Sequence, residues 1–386
     1  MSYDLTDEQE ILRKTIRDFA ENEVRPIAHE LDEKEEFSVE LTQKMAELGL
    51  FGMFVSEEYG GSQMGYVAYI IAVEELARVD GSTAATVAAG NSLGIGPIYY
   101  FGNEEQKRTY LPALCSTESD QFRLAGFGLT EPDAGSDAGG TRTKAVQKSR
   151  DWIVNGSKIF ITNSANSLTL VNTVQAVTGT REDGRKEYTC FLVPADANGF
   201  RSVAMHGKLM WRASNTGELY FDDCQVPQSA MLGKRGEGFH QMLQTLDGGR
   251  LSIAAMGLGC AQGALDLALQ YAQDRRQFGK PISKFQAISF KLADMATEVE
   301  AARGLLYKAC WLREQHRPFE KEAAMAKLYC SEVARRAVHS AVQIHGGYGL
   351  MKEYDVERLY RDQRLLEVGE GTSEIQRLVI ARRIGC

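Results

Sequence analysis

The spacing of apolar positions divides the chain into three textures. In LTDEQEILRKTIRDFAENEV (5–24), Leu12, Ile16, Phe19 and Val24 recur at helical spacing, and Thr6 with Gln9 forms a capping-box pattern ahead of them. This predicts an amphipathic helix stopped at Pro26. VELTQKMAELGLFG, VAYIIAVEELARV and TAATVAAG continue the helical reading with Gly and Pro punctuation between them, so residues 1–120 are expected to be all-helical. After Asp120 the period changes. DWIVNGSKIFITN, LTLVNTVQAV, EYTCFLVP and GELYFDD read as short strands, and Asn155-Gly156 between β-prone runs predicts a hairpin turn. Residues 121–232 are therefore expected to form a small antiparallel sheet or barrel. Helix returns in 233–386, where Phe285, Ile288, Leu292, Met295, Val299 and Ala302 step by three and four residues, as in a bundle helix. The fold class this predicts is mainly α with a central β-barrel and a C-terminal four-helix bundle.

A length of 386 residues, 44% hydrophobic and 25% charged, allows two or three domains and a sizeable enclosed ligand. No apolar run reads as a membrane span and no N-terminal signal pattern is seen, so a cytoplasmic protein without a membrane partner is expected. The net charge of −8 argues against a nucleic-acid partner, which needs a basic face. Seven scattered cysteines without a CxxC pair suit neither a disulfide framework nor zinc, and the six histidines lack metal-ligand spacing, so no metal is expected.

Four motifs bear on chemistry. GNSLG (90–94) fits G-x-S-x-G, but a helical stretch precedes it where a nucleophile elbow needs a strand. Gly257, Gly259 and Gly263 lie inside a helical pattern, where close helix packing explains them better than a dinucleotide fingerprint. LTEPDAGSDAGG (129–140) offers backbone N–H groups and hydroxyls to an acceptor-rich ligand, or is a solvated loop. DRRQFGKPISKFQ (274–286) combines arginines, an aromatic and Gln286, suited to a pyrophosphate and a flat ring; a surface ion-pair patch is the plainer reading.

In this order along the chain, LTEPDAGSDAGG, NGSKIFITN, LDGGRLSIAA, RRQFGKPISKFQAISFKLADM, AVQIHGGYG and EGTSEIQRLVIARR closely resemble the flavin-dependent acyl-CoA dehydrogenases. The resemblance implies bound FAD, an acyl-CoA substrate, electron delivery to an electron-transferring flavoprotein and a homotetramer. It makes Glu370, set between Gly369 and Gly371, the base that removes the α-proton while a hydride leaves Cβ for the flavin. Burial would raise the proton affinity of this carboxylate toward what a carbon acid requires. The thioester carbonyl would be held by the Glu370 backbone N–H and a flavin ribityl hydroxyl.

The resemblance further places Phe127, Leu129, Thr130, Gly135 and Ser136 around the flavin, with Ser136 also toward CoA, and Phe160, Ile161 and Thr162 over a flavin face. Many relatives have tryptophan where this chain has Phe160. Arg275, Phe278, Gln286, Gln343, Ile344, Gly346 and Gly347 would reach the FAD diphosphate and adenosine, partly across a subunit interface, with Thr372 and Glu374 near the cofactor. Asp247, Arg250 and Asn91 match substrate-side positions. Some relatives, the isovaleryl type among them, carry their catalytic glutamate where this chain has Gly249, so Glu370 is expected to act alone.

Relatives commonly have tyrosine where this chain has Gly369. Losing that ring would widen the pocket for a branched or alicyclic acyl group such as cyclohexanecarboxyl, unless another side chain fills the gap. Asn91 cannot take the proton of a 1,4-dehydrogenation, which favours α,β-chemistry. Two alternatives remain: an enoyl-CoA reductase running the reverse reaction, and a non-catalytic acyl-CoA-binding homologue.

Overall fold

The computed structural model describes residues 5–386. Its first section is helical: α1 (Asp7–Phe19), α2 (Arg25–Lys34), α3 (Val39–Glu47), α4 (Tyr66–Ala77), α5 (Gly81–Ala89), α6 (Gly96–Phe101) and α7 (Glu104–Leu114). Both halves of the Thr6–Gln9 capping box are formed. Pro26 does not stop the helix. A π-helical turn over Ala20–Val24 loosens the backbone and places the proline in the first turn of α2, where its missing N–H costs nothing.

Strands follow: β1 (Leu124–Gly128), β2 (Lys144–Lys148), β3 (Asp151–Thr162), β4 (Thr169–Thr180), β5 (Lys186–Pro194), β6 (Phe200–Ala204), β7 (Thr216–Pro227) and β8 (Met231–Leu232). The expected barrel does not close. The order is β6-β7-β3-β2-β4-β5-β8 with β1 beside β4, so β6 and β8 end as edges. β2 and β4 meet through the single pair Lys144–Val177, and side chains from both halves, including Trp152, Val174, Phe191 and Phe221, share one apolar cluster. Packing joins the halves where ladder hydrogen bonds do not. Asn155-Gly156 is not a turn either. It lies inside β3, where the register against β7 slips, Gly156 has φ +143°, and Asn155 exchanges hydrogen bonds with Asp223. The Asn-Gly signal here marks a bulge.

The last section holds α8 (Gly238–Asp274), the two-residue strands β9 (Arg276–Gln277) and β10 (Lys280–Pro281), α9 (Gln286–Glu314), α10 (Glu320–His345), α11 (Val356–Leu366) and α12 (Ser373–Ile384). Contrary to the sequence reading, α8 is long and apolar enough to cross a membrane, with mean hydropathy 1.3 over its most apolar window, yet 78% of that window is buried inside the protein. It is the central core helix, touching α4, α9 and α10. Its glycines permit that closeness: a Cβ on Gly259 would lie 2.2 Å from the Glu74 carbonyl oxygen, and one on Gly263 2.1 Å from that of Arg78. Six of the seven cysteines are buried, and Cys386 is exposed.

Candidate active site

The turn between α11 and α12 is shaped by backbone conformations that side-chain-bearing residues rarely adopt. Glu370 itself sits in the left-handed region at φ +51°, followed by Gly371 at +91°. Such strain persists only where surrounding contacts hold it. Here the Gln376 amide donates to the carbonyl oxygens of Glu370 (3.3 Å) and Gly371 (2.8 Å), and the Lys327 ammonium donates to Gly371 at 2.8 Å. The Glu370 N–H has no backbone acceptor among the described residues and remains an available donor.

The Glu370 side chain runs against Gly249 of α8, so closely that a Cβ at Gly249 would lie 1.8 Å from Oε2. Although the residue as a whole keeps some exposure, Oε2 is buried and has no hydrogen-bond partner. Burial raises the carboxyl pKa to about 7, against the opposing charges of Lys327 and Arg250. A buried carboxylate oxygen without a hydrogen-bond donor is a strong base for its type.

The surrounding wall is aromatic and hydroxylic. Tyr66 donates to the Gly248 carbonyl (2.7 Å), Tyr69 to that of Ala88 (2.7 Å), and Ser252 to that of Gly249 (2.8 Å). Burial raises the Tyr69 phenol, helped by the charge of Glu370, so Tyr69 stays neutral. Arg250 is buried and paired with Asp247, whose proton affinity is raised by burial in spite of that arginine. Next to Glu370, the three atoms nearest to where a Gly369 Cβ would be all belong to Leu365, at 3.4 to 3.7 Å. Asn91 does not face this space. It is fully buried in a π-helical stretch, Gly90–Ile95, with Nδ2 donating to Leu50 and Val87 and Oδ1 accepting from the Gly52 N–H. Its polar atoms are committed to fixing the turn before α4.

The candidate cofactor residues form two groups. In the first, the side chains of Phe127, Leu129 and Ile161 are buried in apolar clusters, leaving their backbone to meet a ligand. Gly135 and Ser136 are exposed, Phe160 is 63% exposed, and the hydroxyls of Thr130, Ser136 and Thr162 make no side-chain hydrogen bond among the described residues. A buried ion pair shapes this loop. Lys158 donates to Glu131 (2.8 Å) and to the Leu129 carbonyl (3.0 Å), while Glu131 also accepts from the N–H groups of Arg142 and Thr143. Burial pushes the Glu131 carboxyl up, but Lys158 and these donors outweigh it and hold it below its ordinary value. Lys158→Met should therefore leave a buried, uncompensated carboxylate, cost about 3 kcal/mol and lower the thermal midpoint together with the flavin content of the purified protein.

In the second group Arg275, Phe278, Gln286, Gln343, Gly346 and Gly347 are exposed, Phe278 to 93%, whereas the Ile344 side chain is buried in the bundle. Arg275 lies over the Tyr348 ring at 5.5 Å and has no carboxylate partner among the described residues. No hydrogen bond, ion pair or aromatic contact joins the two groups within the chain, among the described residues. Thr372 caps α12 through its side chain, and Glu374 is exposed beside it. Unpaired hydroxyls, amides and a guanidinium beside open aromatic faces fit FAD, a flat ring joined to a diphosphate.

The sequence reading missed Lys327, a lone lysine on the apolar face of α10 with Ala323, Ala326, Cys330 and Ala334; its place on that face was the available signal. It also missed the contact of Gly249 with Glu370, which no local pattern encodes.

Family models match three segments: "Acyl-CoA dehydrogenase, N-terminal domain" over 6–118, "middle domain" over 126–224 and "C-terminal domain" over 236–385. The chain is 51% identical to a probable acyl-CoA dehydrogenase, YngJ, of Bacillus subtilis, covering all of both chains. It is 42% identical to an acryloyl-CoA reductase (NADH) of Anaerotignum propionicum, covering all of this chain and 96% of that one. Among solved structures, butyryl-CoA dehydrogenase from Megasphaera elsdenii superposes over the whole of both chains with TM-score 0.94 and 42% identity. A chain from a structure of the electron transferring flavoprotein of Acidaminococcus fermentans matches equally well, with TM-score 0.94, 42% identity and full coverage of both. An acyl-CoA dehydrogenase complexed with FAD from Bacillus anthracis matches with TM-score 0.91 and 36% identity over 99% of this chain and 67% of that one.

Proposed function

The chain belongs to the acyl-CoA dehydrogenase family, and from that premise we propose that Glu370 is the base that starts α,β-dehydrogenation of an acyl-CoA thioester. The enzyme is an FAD-dependent oxidoreductase acting on CH–CH bonds. The observation that carries the role of Glu370 is its buried, unpartnered Oε2 against Gly249, with a pKa raised to about 7. Such a group can take an α-proton at neutral pH. The free N–H of Glu370 supports its use as a donor to the thioester carbonyl, where it would stabilise enolate character as the proton leaves. FAD, when bound, supplies the acceptor for the β-hydride.

The first group, Thr130, Ser136 and Phe160–Thr162, would hold the flavin ring. Arg275, Phe278, Gln286 and the 343–347 turn would serve the diphosphate and adenosine of a second subunit's cofactor. The lack of any hydrogen bond, ion pair or aromatic contact between them among the described residues supports that division, and the exposed Phe278, Phe290 and Leu350 support association as a homotetramer. Asp247 and Arg250 would border the substrate. The electron acceptor is an electron-transferring flavoprotein, in keeping with the matching chain from the Acidaminococcus structure.

For the acyl group, the space left at Gly369 favours a branched or alicyclic substituent. The commitment of Asn91 to backbone leaves no second proton acceptor there, which supports α,β- over 1,4-chemistry. Anaerobic titration with straight, branched and cyclic acyl-CoA thioesters tests both levels: bleaching of the flavin by some member establishes the reaction, and a wide preference for butyryl-CoA would overturn the bulky-acyl reading. A reductase running the same chemistry in reverse is the second reading, favoured by the similarity to acryloyl-CoA reductase. Faster flavin reoxidation by enoyl-CoA than reduction by acyl-CoA would select it.

A further inference from the structure

Lys327 is a cation in an unusual setting. Its side chain is fully buried on α10, it forms no salt bridge among the described residues, and its one side-chain hydrogen bond goes to the Gly371 carbonyl, the residue after the base. A buried ammonium satisfied by a carbonyl alone is costly, and such a charge is retained where it acts on another one. The charged and titratable groups around the pair come from four elements. Arg250 on α8 is paired with Asp247, Glu367 at the end of α11 is held by Arg335 (3.0 Å) and Arg364 (2.6 Å), Glu374 on α12 is solvent-exposed, and Tyr69 on α4 stays neutral. Lys327 and Arg250 both favour the ionised Glu370 carboxylate, and Lys327, the larger influence, does so without a carboxylate partner of its own among the described residues.

We propose that Lys327 is a positioning residue for Glu370: it pins the left-handed turn through the Gly371 carbonyl and uses its charge to favour the ionised form of the buried base. This inference rests on the role of Glu370 given above. The coupling is mutual. Burial lowers the Lys327 ammonium to about 8, and the Glu370 charge is what chiefly holds it up; without Lys327, burial opposed by Arg250 alone would drive the carboxyl higher. A base that is protonated at pH 7 accepts no α-proton, so the lysine sets the lower edge of the working pH range.

The test is the pH dependence of anaerobic flavin bleaching in single turnover by the best acyl-CoA of the panel. In Lys327→Gln, which can still donate to Gly371 but carries no charge, the rising limb should move up by about one pH unit or more. In Lys327→Met, which loses both, the limb should move similarly and the plateau rate should fall as well. Limbs that coincide with the native one in both variants would overturn the proposal, since a merely structural lysine changes rate and flavin content but not the ionisation of Glu370. Should neither variant retain flavin, the reciprocal measurement decides: in protein carrying 13Cε-lysine, Glu370→Gln should lower the titration midpoint of the Lys327 resonance, and an unmoved midpoint would refute the coupling. If no thioester bleaches the native enzyme, the proposed function fails instead, and the lysine titration still reads the coupling on its own.

Discussion

Glu370→Gln is expected to keep its FAD and lose at least about 10³-fold in the rate of flavin bleaching by acyl-CoA, the scale of a removed general base. The amide matches the carboxylate in shape and cannot accept the α-proton. In the native enzyme the rate should rise with pH through about 7 as Glu370 ionises, and the variant should show no such limb. Stability provides an independent check with a definite sign. The folded-state pKa lies above the ordinary carboxylate value of 4.5, so the native fold holds a proton that the unfolded chain has lost between these limits. Native stability should therefore fall as pH rises from about 4.5 to 7, a contribution of roughly 3 kcal/mol that glutamine does not carry. Melting curves at pH 5 and pH 8 should show the variant gaining on the native protein at the higher pH. A normal turnover in Glu370→Gln would remove the residue from the mechanism.

Local signals were legible where local physics decides. The Thr6–Gln9 box formed because its two bonds close within one helical turn, and the Gly259–Gly263 stretch packs closely as its helical spacing indicated. The reading failed where a distant partner decides. Asn155-Gly156 has the chemistry of a hairpin turn, but Asp223 on β7 takes both polar groups of Asn155 and turns the glycine into a bulge. Pro26 has the chemistry of a stop, yet a π-helical turn absorbs its missing donor. In the site, Glu370 was found through resemblance to a family motif, whereas the strain of the turn falls on Glu370 and Gly371 and not on Gly369, which the flanking glycines did not disclose. Asn91, placed near the substrate by alignment, is consumed by three backbone groups separated from it by up to 41 positions in sequence. Lys327 reads as a flaw in an apolar face until its partner, 44 residues later, is in view.

Gly249→Ala should cost about 10²-fold or more in bleaching rate while leaving the protein folded and yellow. The new methyl carbon would sit 1.8 Å from Glu370 Oε2 and 2.8 Å from Cδ, well inside contact distance, so one of the two must give way. Helix α8 is locked on both sides by the core, whereas the carboxylate is the far end of a flexible side chain with no hydrogen bond at Oε2. The carboxylate moves, and stability changes little. The same distance means that side chains from positions 249 and 370 reach one point in space from two different elements. This accounts physically for relatives whose glutamate stands at the position of Gly249. In a Glu370→Gly background, Gly249→Glu should thus recover activity at least about tenfold over Glu370→Gly alone, because a base restored within reach of Cα regains part of the general-base contribution. Full activity in Gly249→Ala would mean that the carboxylate works from somewhere other than its place against α8.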